Sequence, residues 1–347
     1  MSSELWADPI PLVLSSAGRN TGATSEDQLV APFGRDGDES TVEIAFVNNM
    51  PDSAFEATEQ QFIGLLERAT TEIGDTTVVL HRYGLPGLSR SEEIEKRLAD
   101  DYRPLEDLYR TRPDGLIVTG TEPRADDLRN EPYWEPLAGL IAWAERGTAS
   151  AVVSCLSAHA AALLFDGVDR RTLPAKCSGV LSQQVMADHP LTEGLGDLVR
   201  IPHSRLNDLP ADDLRSRGYA NLIESPGRTW TVAVKERGAC LFVLVQGHPE
   251  YSTTSLLREY RRDLQRFLRG ERDVAPAIPT GYLEGEGLRL LECFEAQALA
   301  HPRCPELMKD FPFEKVAESL VNTWQVPGTR LYANWLTQIK LRRHSIA

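Results

Sequence analysis

Three side chains of this 347-residue chain have the types and spacing for nucleophilic acyl chemistry: Cys155, His248 and Glu250. Cys155 stands between the run Val152-Val153-Ser154 and an Ala/Leu-rich stretch over 156–164 whose apolar residues recur at helical spacing, which predicts a tight strand-to-helix turn. Such a turn lifts the sulfur out of a sheet. The positive end of the following helix would favour a thiolate and help hold an oxyanion. Taken alone, the stretch reads more readily as a buried core cysteine, the usual fate of a free thiol. A thiol nucleophile also needs a base, and the base needs an orienting acceptor. Gln246-Gly247-His248-Pro249-Glu250-Tyr251 follows the apolar segment Cys240–Val245 and sets a carboxylate two residues from an imidazole, within reach of it in an extended or tightly turned chain. By itself His-Pro-Glu is a loop turn. Paired with an elbow cysteine on another strand, it points to an enzyme.

The elements that must position these groups alternate. Strands are predicted at 42–47, 76–82, 114–120, 151–154 and 240–245, and helices at 53–69, around 90–110, at 134–146 and at 253–268. Strands alternating with helices of ten or more residues imply an α/β fold, a parallel sheet with helices on both faces, whose ligands sit at the carboxyl ends of the strands. Asn48–Pro51, Thr119-Gly120, Cys155 and the His248 segment all fall at such ends. Residues 175–235 read as less regular and β-rich. Residues 1–40, polar apart from the patch at 10–14, read as an irregular arm. The domain boundaries expected are therefore 1–40 for the arm, 41–285 for the catalytic domain, and 286–347 for a C-terminal extension with a final helix near 330–342.

Composition narrows the classes. With 41% apolar and 25% charged residues the chain is an ordinary globule. No apolar run approaches the roughly 18 residues of a membrane span, and the first 30 residues lack a signal-peptide pattern, so a cytoplasmic protein is expected. A net charge of −14 argues against nucleic-acid or anionic-membrane partners, and any anionic substrate would need a locally basic pocket. The five cysteines are scattered without a C-x-x-C pair, which predicts free thiols and no metal site.

The order of short segments over roughly 42–283 resembles the homoserine O-acyltransferase family of the class I glutamine-amidotransferase-like (flavodoxin-like) superfamily. Those segments are Asn49-Met50-Pro51 with Thr58-Glu59 and Gln61-Phe62; the run at 114–120; Tyr133-Trp134; Cys155; Lys176 with Ser178-Gly179-Val180; Pro202-His203-Ser204-Arg205; the run at 247–251; and Glu259-Tyr260 with Arg262-Asp263. Asn334-Trp335-Leu336 matches the family's C-terminus. The resemblance implies that Cys155 takes an acyl group as a thioester from an acyl-CoA co-substrate, succinyl-CoA ahead of acetyl-CoA, with no bound cofactor. His248 would be the base, Glu250 its orienting partner, and the homoserine hydroxyl the acceptor, as in methionine biosynthesis. Lys176, Ser204 and Arg262 match substrate-binding positions, and a guanidinium suits an amino-acid carboxylate. Arg124 occupies the position linked to donor choice. A homodimer is implied as well.

The chain departs from the family pattern at four places. Asp52-Ser53 replaces two lysines after Met50-Pro51, Leu156 replaces a tryptophan, His159 a glutamine, and Arg124 matches neither residue expected at its position. Another hydroxy amino acid as acceptor therefore stays open. A glutaminase of the same superfamily is a further alternative, although Ser154, Leu156 and Ser157 do not supply the Gly-x-Cys-x-Gly setting of that class. The remaining alternative is a non-catalytic scaffold.

Overall fold

The β-branched run at 42–47 forms the strand around which the first half of the chain is ordered. In the computed structural model, which describes residues 12–15, 39–227 and 229–343, the chain begins with β1 (Leu12–Leu14), β2 (Thr41–Asn48), α1 (Asp52–Ile73), β3 (Thr77–Gly84) and α2 (Glu92–Asp101). It continues through α3 (Leu105–Thr111), β4 (Gly115–Val118), α4 (Trp134–Gly147), β5 (Ser150–Ser154), α5 (Leu156–Asp166), β6 (Arg171–Val185) and β7 (Leu198–Asp208). The remainder is α6 (Ala211–Ser216), β8 (Ala220–Glu224), β9 (Trp230–Arg237), β10 (Cys240–Val245), α7 (Ser255–Leu268), α8 (Gly285–Ala300), α9 (Phe313–Glu318) and α10 (Gln325–Arg342). Most of the arm expected at 1–40 lies outside the described residues. Part of its apolar patch, however, is β1. Two compact units result, Met1–Ala161 with Val234–Leu244 and Thr329–Ala347, and Ala162–Ala233 with Val245–Gly328.

In the first unit the strand order is β1-β3-β2-β4-β5-β10, parallel from β1 through β5. The order reverses at β2: α1 carries the chain outward to β3, and α2 with α3 carries it back across to β4. Right-handed crossovers then put those helices on opposite faces, as the alternating pattern predicts. The carboxyl ends of β2 and β4 flank the switch point where such sheets bind ligands. On α1, Phe55, Phe62, Leu65 and Leu66 form a fully buried stripe at helical spacing, each contributing about 1.5–3 kcal/mol by leaving water. The later part of α10 belongs to this unit. Its Trp335 Nε1 donates to Ser150 Oγ (2.9 Å), which donates to Leu241 O (2.7 Å), so the C-terminal segment is tied to the strand that ends at Cys155.

The polar face of α1 carries a buried charge. Glu59, 1% exposed, accepts from Arg82 Nη1 (2.8 Å), Arg97 Nη2 (3.0 Å) and Tyr102 Oη (2.5 Å). Burial and this carboxylate push the Tyr102 phenol above its usual range. Removing the anion would leave two guanidiniums facing each other in a poorly solvated place. Glu59→Gln is therefore expected to destabilise the protein by about 3 kcal/mol, read as a lowered urea midpoint. An unchanged midpoint would mean that the two arginines find other acceptors.

In the second unit, which holds only the first half of β9, the order is β9-β8-β6-β7, with β6 antiparallel to both β7 and β8. Gly179 on β6 has no room for a side chain, since a Cβ would lie 2.3 Å from Thr280 O, where the two backbones exchange hydrogen bonds. The segment after 271, expected to hold one final helix, contains α8 and α9 before α10. No described helix is long and apolar enough to cross a membrane.

Candidate active site

The elbow predicted at Cys155 is present. Between the last residue of β5 and the first of α5, Cys155 has φ +52°, a left-handed conformation that costs a non-glycine residue roughly 1–3 kcal/mol. Its carbonyl accepts from Ala158 N (3.0 Å) and His159 N (3.3 Å). The half-buried thiol thus stands where α5 begins, among backbone N–H groups that have no acceptor within the helix. Gly120, at the end of β4, lets that strand approach the elbow, because a Cβ there would lie 3.0 Å from Leu156 N and 3.2 Å from Cys155 Cβ. Buried polar bonds then lock the ends of three strands together. Asn49 N donates to Thr119 Oγ1 (2.8 Å), Asn49 Nδ2 to Thr119 O (3.0 Å), and Ser157 Oγ to the same carbonyl (2.6 Å). His159 is buried one turn into α5.

The start of α1, where the chain has Asp52-Ser53 and the family resemblance implies two lysines, receives a cation from elsewhere in the sequence. Arg90 Nη1 donates to Met50 O (2.5 Å) and Asp52 Oδ1 (3.1 Å), and its guanidinium lies over Phe55. Burial raises the Asp52 carboxyl, but hydrogen bonds from Ser91 and the Arg90 charge outweigh it and hold the group below its ordinary range. Arg124 is exposed on a loop fixed through its backbone, with Arg124 N and Ala125 N both donating to the buried Glu131 carboxylate at 2.5 and 2.6 Å.

The second unit carries His248 and Glu250. His248 N donates to Pro202 O (2.8 Å) and Tyr251 N to His248 O (3.2 Å), so the segment turns tightly just beyond β10. Gly247 makes this possible, since a Cβ would lie 2.8 Å from Ile201 Cγ2 and 2.9 Å from Thr231 Cγ2. His248 Nδ1 lies 2.8 Å from Glu250 Oε1, and both residues are buried. A carboxylate can only accept, so the bond assigns the neutral ring's proton to Nδ1 and makes Nε2 the basic nitrogen. Beneath this turn His203 is fully buried, with Arg205 Nη1 at its Nδ1 (2.7 Å) and Thr231 Oγ1 at its Nε2 (2.8 Å). Burial, then the Arg205 and His248 charges, hold it neutral, well below the usual histidine range.

The antiparallel register that faces Ser178 with Ser204 brings Lys176 and Ser204 to one place on the second unit, where α7 meets them. Glu259 and Asp263, one helical turn apart, form the acidic centre. Glu259 accepts from Ser204 Oγ, from Lys176 Nζ (3.1 Å) and, at its other oxygen, from Tyr251 Oη (2.6 Å). Asp263 accepts from Lys176 Nζ (2.8 Å) and from Nε and Nη2 of Arg262 (3.1 Å each), with Arg272 Nη1 at 3.4 Å and Arg266 Nη1 at 4.0 Å. Burial raises both carboxyls, yet Lys176 and the other donors outweigh it and leave both below their ordinary range. Four cations around two carboxylates make this a positive spot on a chain of net charge −14, the kind of place an anionic substrate group requires.

Cys155 thus belongs to the first unit, and His248, Glu250, Lys176, Ser204 and Arg262 to the second. Sequence spacing does not single out Arg90, Glu259 or Tyr251. Glu259 and Tyr251 lie within segments that carry the family resemblance, but only the fold reveals the bond between them.

The profile of a family described as homoserine O-succinyltransferase matches residues 33–344. A homoserine O-succinyltransferase from Rhodopseudomonas palustris is 42% identical over 298 residues, covering 86% of this chain and 88% of the relative. Another, from Methylorubrum extorquens, is 39% identical over 334 residues, 96% of each chain. A solved glutamine amidotransferase from Methylobacillus flagellatus aligns with 86% of this chain and 95% of its own at 16% identity and a TM-score of 0.45. With the profile spanning nearly the whole length and relatives near 40% identity over most of theirs, the chain belongs to the homoserine O-succinyltransferase family.

Proposed function

We propose that the protein transfers the succinyl group of succinyl-CoA to the hydroxyl of homoserine, through a thioester on Cys155, as a step of methionine biosynthesis. The observation that carries this is the combination, in a chain of this family, of a left-handed elbow cysteine and a histidine whose proton is assigned to Nδ1 by Glu250. In the first half-reaction the Cys155 thiolate adds to the thioester carbonyl, the carbon–sulfur bond to CoA breaks, and the departing CoA sulfur takes a proton from the His248 imidazolium. In the second, His248 Nε2 takes the proton of the acceptor hydroxyl as its oxygen attacks the acyl carbon, and the Cys155 sulfur leaves. Backbone N–H groups at the start of α5 support the roles of oxyanion donors. Lys176, Ser204 and Arg262 are assigned to substrate binding, with the cationic surroundings of Asp263 as support, and Arg124 to donor choice. A cytoplasmic homodimer belongs to the same proposal.

Intact-mass spectrometry after mixing with succinyl-CoA or acetyl-CoA tests it. A succinyl adduct discharged by homoserine is the expected result. An acetyl adduct alone would change the donor, a succinyl adduct discharged only by another hydroxy amino acid would change the acceptor, and glutamine hydrolysis without any adduct would overturn acyl transfer.

A further inference from the structure

We infer that Tyr251 is a positioning residue for His248, its ring being a fixed platform that holds the imidazole plane and favours the imidazolium formed whenever His248 takes a proton. The inference rests on His248 being the base, as proposed above. The two rings stack with centroids 4.2 Å apart and planes 17° from parallel, well inside the range over which an aromatic face attracts a cation. Glu250 grips the imidazole at its edge, but one hydrogen bond still leaves the ring able to rotate about that bond. A second constraint on the face removes this freedom.

The platform is itself held at three points. Tyr251 Oη donates to Glu259 Oε1 (2.6 Å), its carbonyl accepts from the indole of the buried Trp324 (2.7 Å), and its N–H closes the turn onto His248 O (3.2 Å). Glu259 in turn is fixed by Ser204 and Lys176, two residues assigned above to substrate binding. Tyr251 and the cationic cluster therefore share one carboxylate, Glu259, and through its ring Tyr251 links the base to that cluster. The half-buried Glu259 carboxylate, charged and held from two other sides, fixes the phenol in one orientation against the imidazole.

The test compares Tyr251→Leu, which removes the aromatic face, with Tyr251→Phe, which keeps the face and removes its anchor. Steady-state CoA release is measured across pH, alongside the acyl-enzyme burst. For Tyr251→Leu, kcat is expected to fall roughly 10- to 100-fold, with KM for succinyl-CoA within about twofold of wild type. The acid limb of its kcat/KM profile for homoserine, the step in which neutral His248 is the base, should move to lower pH, because an imidazole without the ring face takes a proton less readily. Tyr251→Phe should lose about 3- to 10-fold in kcat and keep the wild-type acid limb. Unchanged kcat in Tyr251→Leu overturns the inference, as does a loss expressed in KM alone or with an unmoved acid limb. Should Tyr251→Leu fail to fold, Tyr251→Phe decides, and wild-type kcat there overturns the anchored platform. His248→Asn separates the two levels: if it still turns over, the base assignment and the platform fall together, whereas an inactive His248→Asn beside a wild-type-like Tyr251→Leu removes the platform alone.

Discussion

Replacing Cys155 by serine is expected to lower acyl transfer by about 10³-fold or more while the protein stays folded. The hydroxyl is nearly the shape of the thiol, so the elbow at φ +52°, the contact with Gly120 and the buried Asn49-Thr119-Ser157 bonds survive the change. The chemistry does not survive it. A thiol gives up its proton far more readily than a hydroxyl and is the better leaving group in the second half-reaction, whereas an ester on the substituted serine would resist discharge by another alcohol. Intact mass after incubation with succinyl-CoA should show no rapidly turned-over adduct, and the urea midpoint should match wild type to within about 1 kcal/mol. Activity above a few per cent of wild type would take the nucleophile's role away from Cys155.

The elbow is legible in the sequence because every determinant of it is local. A β-branched run, a cysteine and an Ala/Leu helix lie within about a dozen consecutive residues, and a continuous buried run gives way to helical spacing at the cysteine itself. The same holds for β2, β4, β10, α1 and α4, whose apolar faces are written in uninterrupted sequence. The strand β1 is hidden in a polar arm because three residues are too few to show alternation, and only pairing with β3 reveals it. α8 escapes the pattern although Leu291, Phe294 and Ala298 keep a helical spacing, because Gly285 and Gly287 at its start read as loop. β6 lacks clean alternation along its exposed first half, and its register shifts between Thr172 and Cys177, so residues 175–235 look irregular in sequence.

The cationic cluster is illegible for a different reason. Lys176 and Ser204 come together through antiparallel register, Glu259 and Asp263 through one turn of α7, and nothing in the spacing from 176 to 204 to 259 announces that they meet. The family resemblance gives substrate-binding roles to Lys176, Ser204 and Arg262, whereas Glu259 and Asp263, although they stand in its quoted segments, receive no role from it. Arg90 makes the same point in the first unit. Reading forward from Met50, the loop lacks its cations; in the fold, a guanidinium from 40 residues on hydrogen-bonds the Met50 carbonyl and pairs with Asp52.

Glu250→Gln carries the second large expected effect, a loss of about 10²- to 10⁴-fold in kcat with little change in KM for succinyl-CoA. Glutamine fits the space of the glutamate, but one end of its amide donates. If that end faces Nδ1, the neutral ring must carry its proton on Nε2 and can no longer accept one there. If the carbonyl end faces Nδ1, the tautomer is kept, but the negative charge 2.8 Å from the ring is gone, and the imidazolium that serves as acid in the first half-reaction and forms in the second loses the carboxylate paired with it. Both orientations slow proton transfer, and the second also displaces the acid limb of the rate profile to lower pH. Stability separates this from unfolding. Glu250 is buried, and replacing a buried carboxylate by a neutral amide of the same shape removes a desolvation cost, so the urea midpoint should stay level or rise. A variant within tenfold of wild-type kcat with an unmoved acid limb would mean that His248 is oriented without Glu250, and Tyr251 with the Pro202 backbone contact would then have to suffice.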